Sequence, residues 1–162
     1  MIDDTDTQIL TILQGDARTS NAAIARQLGM ASSAIFERIR KLEAKGVISG
    51  YVARITPEAI DLGLLAFIFV RADERLGSRE VGDRIAGMPQ VQEVHHVAGE
   101  DCYLVKARVA NTEALANLLR DGFGAIPEVR STRTTIVLRT VKETGALPLP
   151  SAAQAQEELS RA

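Results

Sequence analysis

The sequence predicts an α+β chain: an N-terminal winged helix-turn-helix followed by a ferredoxin-like βαββαβ domain. Two short apolar-periodic runs within residues 20–45, parted by a glycine-led turn, predict the first part, and the second run is basic on its outer side. Between residues 64 and 141, runs of strand and helix character follow the order strand, helix, strand, strand, helix, strand, which predicts the second part. A composition break at Thr56-Pro57-Glu58 separates the two. The expected organisation is residues 1–55 as the first domain, 56–63 as a linker, 64–142 as the second domain and 143–162 as a tail.

The first helix is expected over residues 3–14, capped by Asp3, with Asp4 and Asp6 in its electropositive first turn. Its apolar residues Ile2, Ile9, Ile12 and Leu13 fall on one side. The second helix opens at Ser20, whose hydroxyl suits a helix start, and stops at Gly29, which suits a left-handed C-terminal residue. In the third, Ile35, Ile39 and Leu42 recur at i, i+4 and i+7 as a single buried stripe. Ser33, Glu37, Arg40, Lys41 and Ala44 lie opposite, with Ala34 and Arg38 on one flank. Small residues at the start, Ser32 and Ser33, permit close approach to a DNA major groove, and the cations behind them reach phosphates or guanine edges. Segment 31–45 carries Arg38, Arg40, Lys41 and Lys45 against Glu37 and Glu43, a net +2 in a chain whose total is −2. A solvated amphipathic hairpin is the plain alternative. The following VISGYVARI predicts a two-stranded wing with Arg54 on its returning strand.

Thr56-Pro57-Glu58 opens a short connecting turn or helix, Ala59 to Leu62. The first strand of the second domain, Leu64 to Ala72, is apolar on both faces: Leu64, Ala66, Ile68 and Val70 on one, Leu65, Phe67 and Phe69 on the other. Two helices cover only one face of such a sheet, so the second face calls for another subunit and predicts a homodimer. A helix over Ser78–Ala86 buries Val81 and Ile85, and strands follow over Val91–Ala98 and Cys102–Val109. A second helix, capped by Asn111, buries Leu115, Leu118, Leu119 and Phe123 before a last strand over Ser131–Val141.

The remaining composition excludes several classes. No apolar run approaches the roughly 18–20 residues of a membrane span. The acidic start MIDDTDTQ enters a helix directly, with no visible signal or transit peptide, so a cytoplasmic location is expected. One cysteine, Cys102, excludes an internal disulfide framework and gives no zinc-finger spacing. His95 and His96 are adjacent in a strand and point to opposite faces, so they share no metal. There is no glycine-rich phosphate loop and no catalytic constellation, so neither an enzyme nor a cofactor is expected.

The segments IDDTDTQILTILQGDARTSNAAIARQLG, ERIRKLEAKGVISGY, HHVAGE and TRTTIVLRTVKE, in that order and spacing, resemble the leucine-responsive regulator/asparagine-synthesis regulator (Lrp/AsnC) family of transcription factors. The likeness covers about residues 2–149. It implies a regulator of double-stranded DNA whose βαββαβ domain (the RAM or ACT-like sensor) binds a small effector, an amino acid in the family. It also implies homodimers that assemble further, into octamers among other rings. In the family the loop matching Gly99, Glu100, Asp101, Cys102 and Tyr103 forms the effector site with the last strand and a neighbouring subunit, and Thr132 and Thr134 match family threonines on that strand. A plain hairpin turn and ordinary strand threonines are the alternatives. Cys102 stands where the family carries an aspartate, so Glu100 or Asp101 must take the ammonium or the ligand differs. The family's serine-proline start of the third helix is replaced by Ala31-Ser32. An architectural DNA-binding protein without ligand, or an amino-acid-binding subunit of an enzyme, are the rival functions.

Overall fold

The computed structural model describes residues 2–75, 78–99 and 101–149. The chain forms two compact units: one joins the residues up to Ala53 with the segment from Glu143 onward, and the other spans Arg54–Lys142.

In the first unit, α1 (Asp4–Gly15) starts on a capping box, in which the Asp3 carboxylate accepts from the Asp6 N–H at 2.8 Å and Asp6 reciprocates at 3.3 Å. Helix α2 (Asn21–Leu28) is capped by the Ser20 hydroxyl, which accepts from Ala23 N–H, and ends at Gly29 with φ 64°. Helix α3 (Ser32–Ala44) begins behind Ala31 without a side-chain cap. Ser32 enters the helix as its first residue instead of capping it, so about 1 kcal/mol of capping is forgone. Ile9, Ile24, Ala25, Ile35, Ile39 and Leu42 form the core, with Ile12, Leu13 and Leu28 packed against it. Ile2, expected there, is exposed because it precedes the first turn.

The expected wing ladder over 47–55 is not formed. The segment is irregular and forms no strand ladder among the described residues, and Val52 is 87% exposed. A two-residue Ser49-Gly50 turn would need left-handed φ/ψ that these residues do not adopt: Gly50 has φ 156°. A lone hairpin is marginal without such a turn. The segment from Glu143 returns to α1, where the Gln14 side-chain amide both donates to Leu147 C=O at 3.1 Å and accepts from Leu147 N–H at 2.6 Å.

In the second unit a 3-10 turn (Pro57–Ile60) precedes β1 (Leu64–Ala72), α4 (Glu80–Ala86), β2 (Val91–His96), β3 (Tyr103–Val109), α5 (Thr112–Asn117, continued by π and 3-10 turns to Ala125) and β4 (Val129–Ile136). The strands make one antiparallel sheet in the order β2-β3-β1-β4, the ferredoxin-like arrangement. Ala66, Ile68, Val70, Val105, Ala107 and Val109 line its inner face and pack against Val81, Ile85, Leu115, Leu118 and Phe123. The last strand ends at Ile136, short of Val141, because its partner β1 runs out: the final bond is from Val137 N–H to Leu65 C=O. Beyond it Leu138 is 99% exposed. On the outer face Phe67 and Phe69 are half-buried, and by register they neighbour Lys106 and Leu104 of β3 and Thr135 and Arg133 of β4.

Candidate nucleic-acid interface and sensor loop

Helix α3 divides its side chains between core and surface as its periodicity requires. Ile35, Ile39 and Leu42 are buried, while Ser32, Ser33, Phe36, Glu37, Arg40 and Lys41 are exposed. Arg40 is loosely paired with Glu37 at 3.7 Å, both well exposed, a contact that contributes little. Arg38 is placed differently. Its guanidinium reaches back to Asp3 at 2.7 Å and Asp6 at 2.8 Å, which fastens α3 to the start of α1. The Arg38 hydrogen bond holds the Asp3 carboxyl below the usual carboxylate range, and the two carboxylates raise Arg38 in turn. Tyr51 donates from its hydroxyl to Glu43 at 2.9 Å and so ties the extended segment to the C-terminal end of α3. Burial and then Glu43 raise the Tyr51 hydroxyl pKa. Arg54 is exposed and is the first residue of the second unit.

In the second unit the loop between β2 and β3 turns at Gly99, whose φ of 139° suits glycine alone. Glu100 lies outside the described residues. Asp101 is paired with Arg133 of β4 at 3.1 Å, and the same guanidinium lies 4.0 Å over the Phe69 ring. Cys102 donates its thiol to Ala72 C=O at 3.3 Å. Both side chains are therefore already engaged within the chain. Tyr103, Thr132 and Thr134 face the other way. Register sets Tyr103 and Thr132 on either side of Val70, and Thr134 beside Ile68, on the helix-covered face. The Thr134 hydroxyl is buried and has no hydrogen-bond partner among the described residues. The expected effector residues thus split between the two faces of the sheet, with Asp101 outside, beside Arg133, and Tyr103, Thr132 and Thr134 inside.

A polar cluster unforeseen from the sequence lies under Tyr103. Glu74 accepts from the Tyr103 hydroxyl at 2.5 Å, from Ser78 Oγ at 2.8 Å and from Val81 N–H at 3.1 Å, the last at the start of α4. Burial raises the Glu74 pKa, but Tyr103, Val81 and Ser78 outweigh it and hold the carboxyl below its ordinary range. Burial and the adjacent carboxylate push Tyr103 up to about 12. His96 stacks on the same ring at 5.1 Å. Gly82 completes the seat, since a methyl group there would meet Tyr103 Cε1 at 2.9 Å. His95, on the opposite face, contacts Glu93, which also accepts from Lys106 at 3.0 Å.

Arg133 was legible as an alternation signal, because TRTT sends it to the face opposite the two threonines. Glu74 carried no comparable signal, since it lies in an irregular segment 29 residues from Tyr103.

A model of the Lrp/AsnC ligand binding domain matches residues 65–147, and a winged helix-turn-helix DNA-binding model matches residues 2–49. The HTH-type transcriptional regulator FL11 of Pyrococcus horikoshii is 43% identical over 148 residues, covering 91% of this chain and 97% of its own. The leucine-responsive regulatory protein of Escherichia coli K12 is 33% identical over 150 residues, 90% of each chain. Among solved structures, a transcriptional regulator of Neisseria meningitidis in complex with L-Met superposes with a TM-score of 0.86 at 29% identity, over 92% of this chain and 97% of that one.

Proposed function

Because this chain belongs to the Lrp/AsnC family of DNA-binding transcriptional regulators, we propose that it reads double-stranded DNA with Ser32, Ser33, Glu37, Arg40 and Lys41 of α3. The exposure of these residues opposite the buried Ile35-Ile39-Leu42 stripe carries this reading. Arg38 orients α3 through Asp3 and Asp6 and does not serve as a free phosphate contact. Arg54 is a flanking phosphate contact. The test is a salt titration of duplex binding. Each phosphate contact adds about 0.9 to the slope of log affinity against log salt, so Lys41→Ala flattens the slope by about that much and Arg38→Ala leaves it unchanged. An unchanged slope for both Lys41→Ala and Arg40→Ala refutes the assignment.

The effector is an amino acid or a close relative, as in the Neisseria regulator's complex with L-Met, taken at the loop of Gly99–Tyr103 with Thr132 and Thr134. The unpartnered Thr134 hydroxyl supports a site completed by a ligand or a second subunit. The protein is a cytoplasmic homodimer through the Phe67 and Phe69 face, built up further to octamers. A second reading, an architectural DNA-binding protein without effector, is favoured by the pairing of Asp101 with Arg133, which leaves no free carboxylate at that position.

A further inference from the structure

Phe36 occupies a place on α3 that neither the core nor the charge pattern accounts for. It is 52% exposed, whereas Phe123 is buried and Phe67 and Phe69 are half-buried against the sheet. It lies one turn beyond Ser32 and one turn before Arg40, in the same exposed stripe as Ser33 and Glu37. A phenyl ring has no hydrogen-bonding group and so cannot read the donor and acceptor edges of bases. The one apolar group that the major groove displays is the thymine 5-methyl. Small side chains at the helix start admit the groove wall closely, and Arg40 supplies the cation on the far side of the ring.

We propose that Phe36 is a specificity-determining residue that packs against a thymine methyl in the major groove. The proposal rests on the reading of α3 as the DNA-binding helix. It makes base selection at this position an apolar contact, separate from the salt-dependent affinity supplied by Arg40 and Lys41.

The experiment selects duplexes from a randomised pool with the full chain, then replaces each thymine of the recovered sequence by uracil, which deletes only the methyl. Anisotropy titrations at fixed salt compare wild type and Phe36→Ala on both forms. One thymine per half-site should lose about three- to fivefold in wild-type affinity on replacement, the effect of one buried methyl. Phe36→Ala should bind both forms equally, with an unchanged salt slope and, as an exposed position, an unchanged melting temperature. Wild type indifferent to uracil at every position, or Phe36→Ala retaining the penalty, overturns the proposal and leaves the DNA reading standing. A chain that enriches no sequence and shows no salt-dependent duplex binding overturns both.

Discussion

Raising the pH through the tyrosine range interrogates the cluster around Tyr103. Tyr103 is 3% exposed, and burial followed by the Glu74 carboxylate pushes its hydroxyl from 10.0 to about 12. In the unfolded chain it ionises near pH 10. The folded state therefore keeps a proton that the unfolded state has released. The hydroxyl's contribution to stability is complete below pH 10 and is lost as the pH rises toward 12. At about 1.4 kcal/mol per pH unit, that interval amounts to roughly 3 kcal/mol. Tyr103→Phe removes the group, leaves Glu74 with Ser78 and Val81 as donors, and should cost about 1.5–3 kcal/mol at neutral pH. The assay is urea unfolding of the two proteins from pH 7 to 11.5. A Tyr51→Phe background removes the other tyrosine, whose hydroxyl is also raised. The stability gap between the two should shrink above pH 10. A gap that stays constant or widens there refutes a buried, carboxylate-bonded hydroxyl.

Phe69→Asp should remove the ring from the outer sheet face, put a charge in the proposed contact and split the assembly even though Arg133 lies beside it, which light scattering would detect; an intact oligomer rejects that face as the interface. Arg38→Ala should lower the melting temperature at neutral pH by freeing α3 from Asp3 and Asp6. Because Asp3 is held below its ordinary range, the wild-type advantage should fade as the pH drops through the carboxylate range, and an advantage that persists in acid rejects the clamp. Cys102→Asp should strengthen binding of at least one amino acid in calorimetry by roughly 10- to 150-fold, the range of a charge-assisted hydrogen bond. Tight binding by wild type that survives both Asp101→Ala and Glu100→Ala would reduce the loop to a turn.

Features decided within a few residues were legible in the sequence. The bounds of β1, the caps at Asp3, Ser20 and Asn111, and the stop at Gly29 all follow from local pattern. Features that depend on distant chain were not. The pairing of Arg38 was hidden because its two carboxylates lie more than thirty residues away, and that of Asp101 because Arg133 is 32 residues on. The end of β4 was overestimated because strand length is set by the partner's extent, which alternation alone does not report. Phe36 lies on the exposed side of the helical wheel, and how far its ring stays uncovered became apparent only once α1, α2 and α3 were packed.

The bidentate hold of Gln14 on Leu147 changes what counts as the headpiece. The N-terminal unit is written by both ends of the described chain, and the sheet-bearing unit is an insertion that leaves it after Ala53 and rejoins it at Glu143. The chain therefore crosses between the two units twice, after Ala53 and after Lys142. The second crossing leads to Leu147, held by Gln14 on the same helix whose first turn meets Arg38 of α3. A fragment cut at Ala53 would keep the three helices but strip Gln14 of its partner, and its stability would measure what the returning segment adds to that unit.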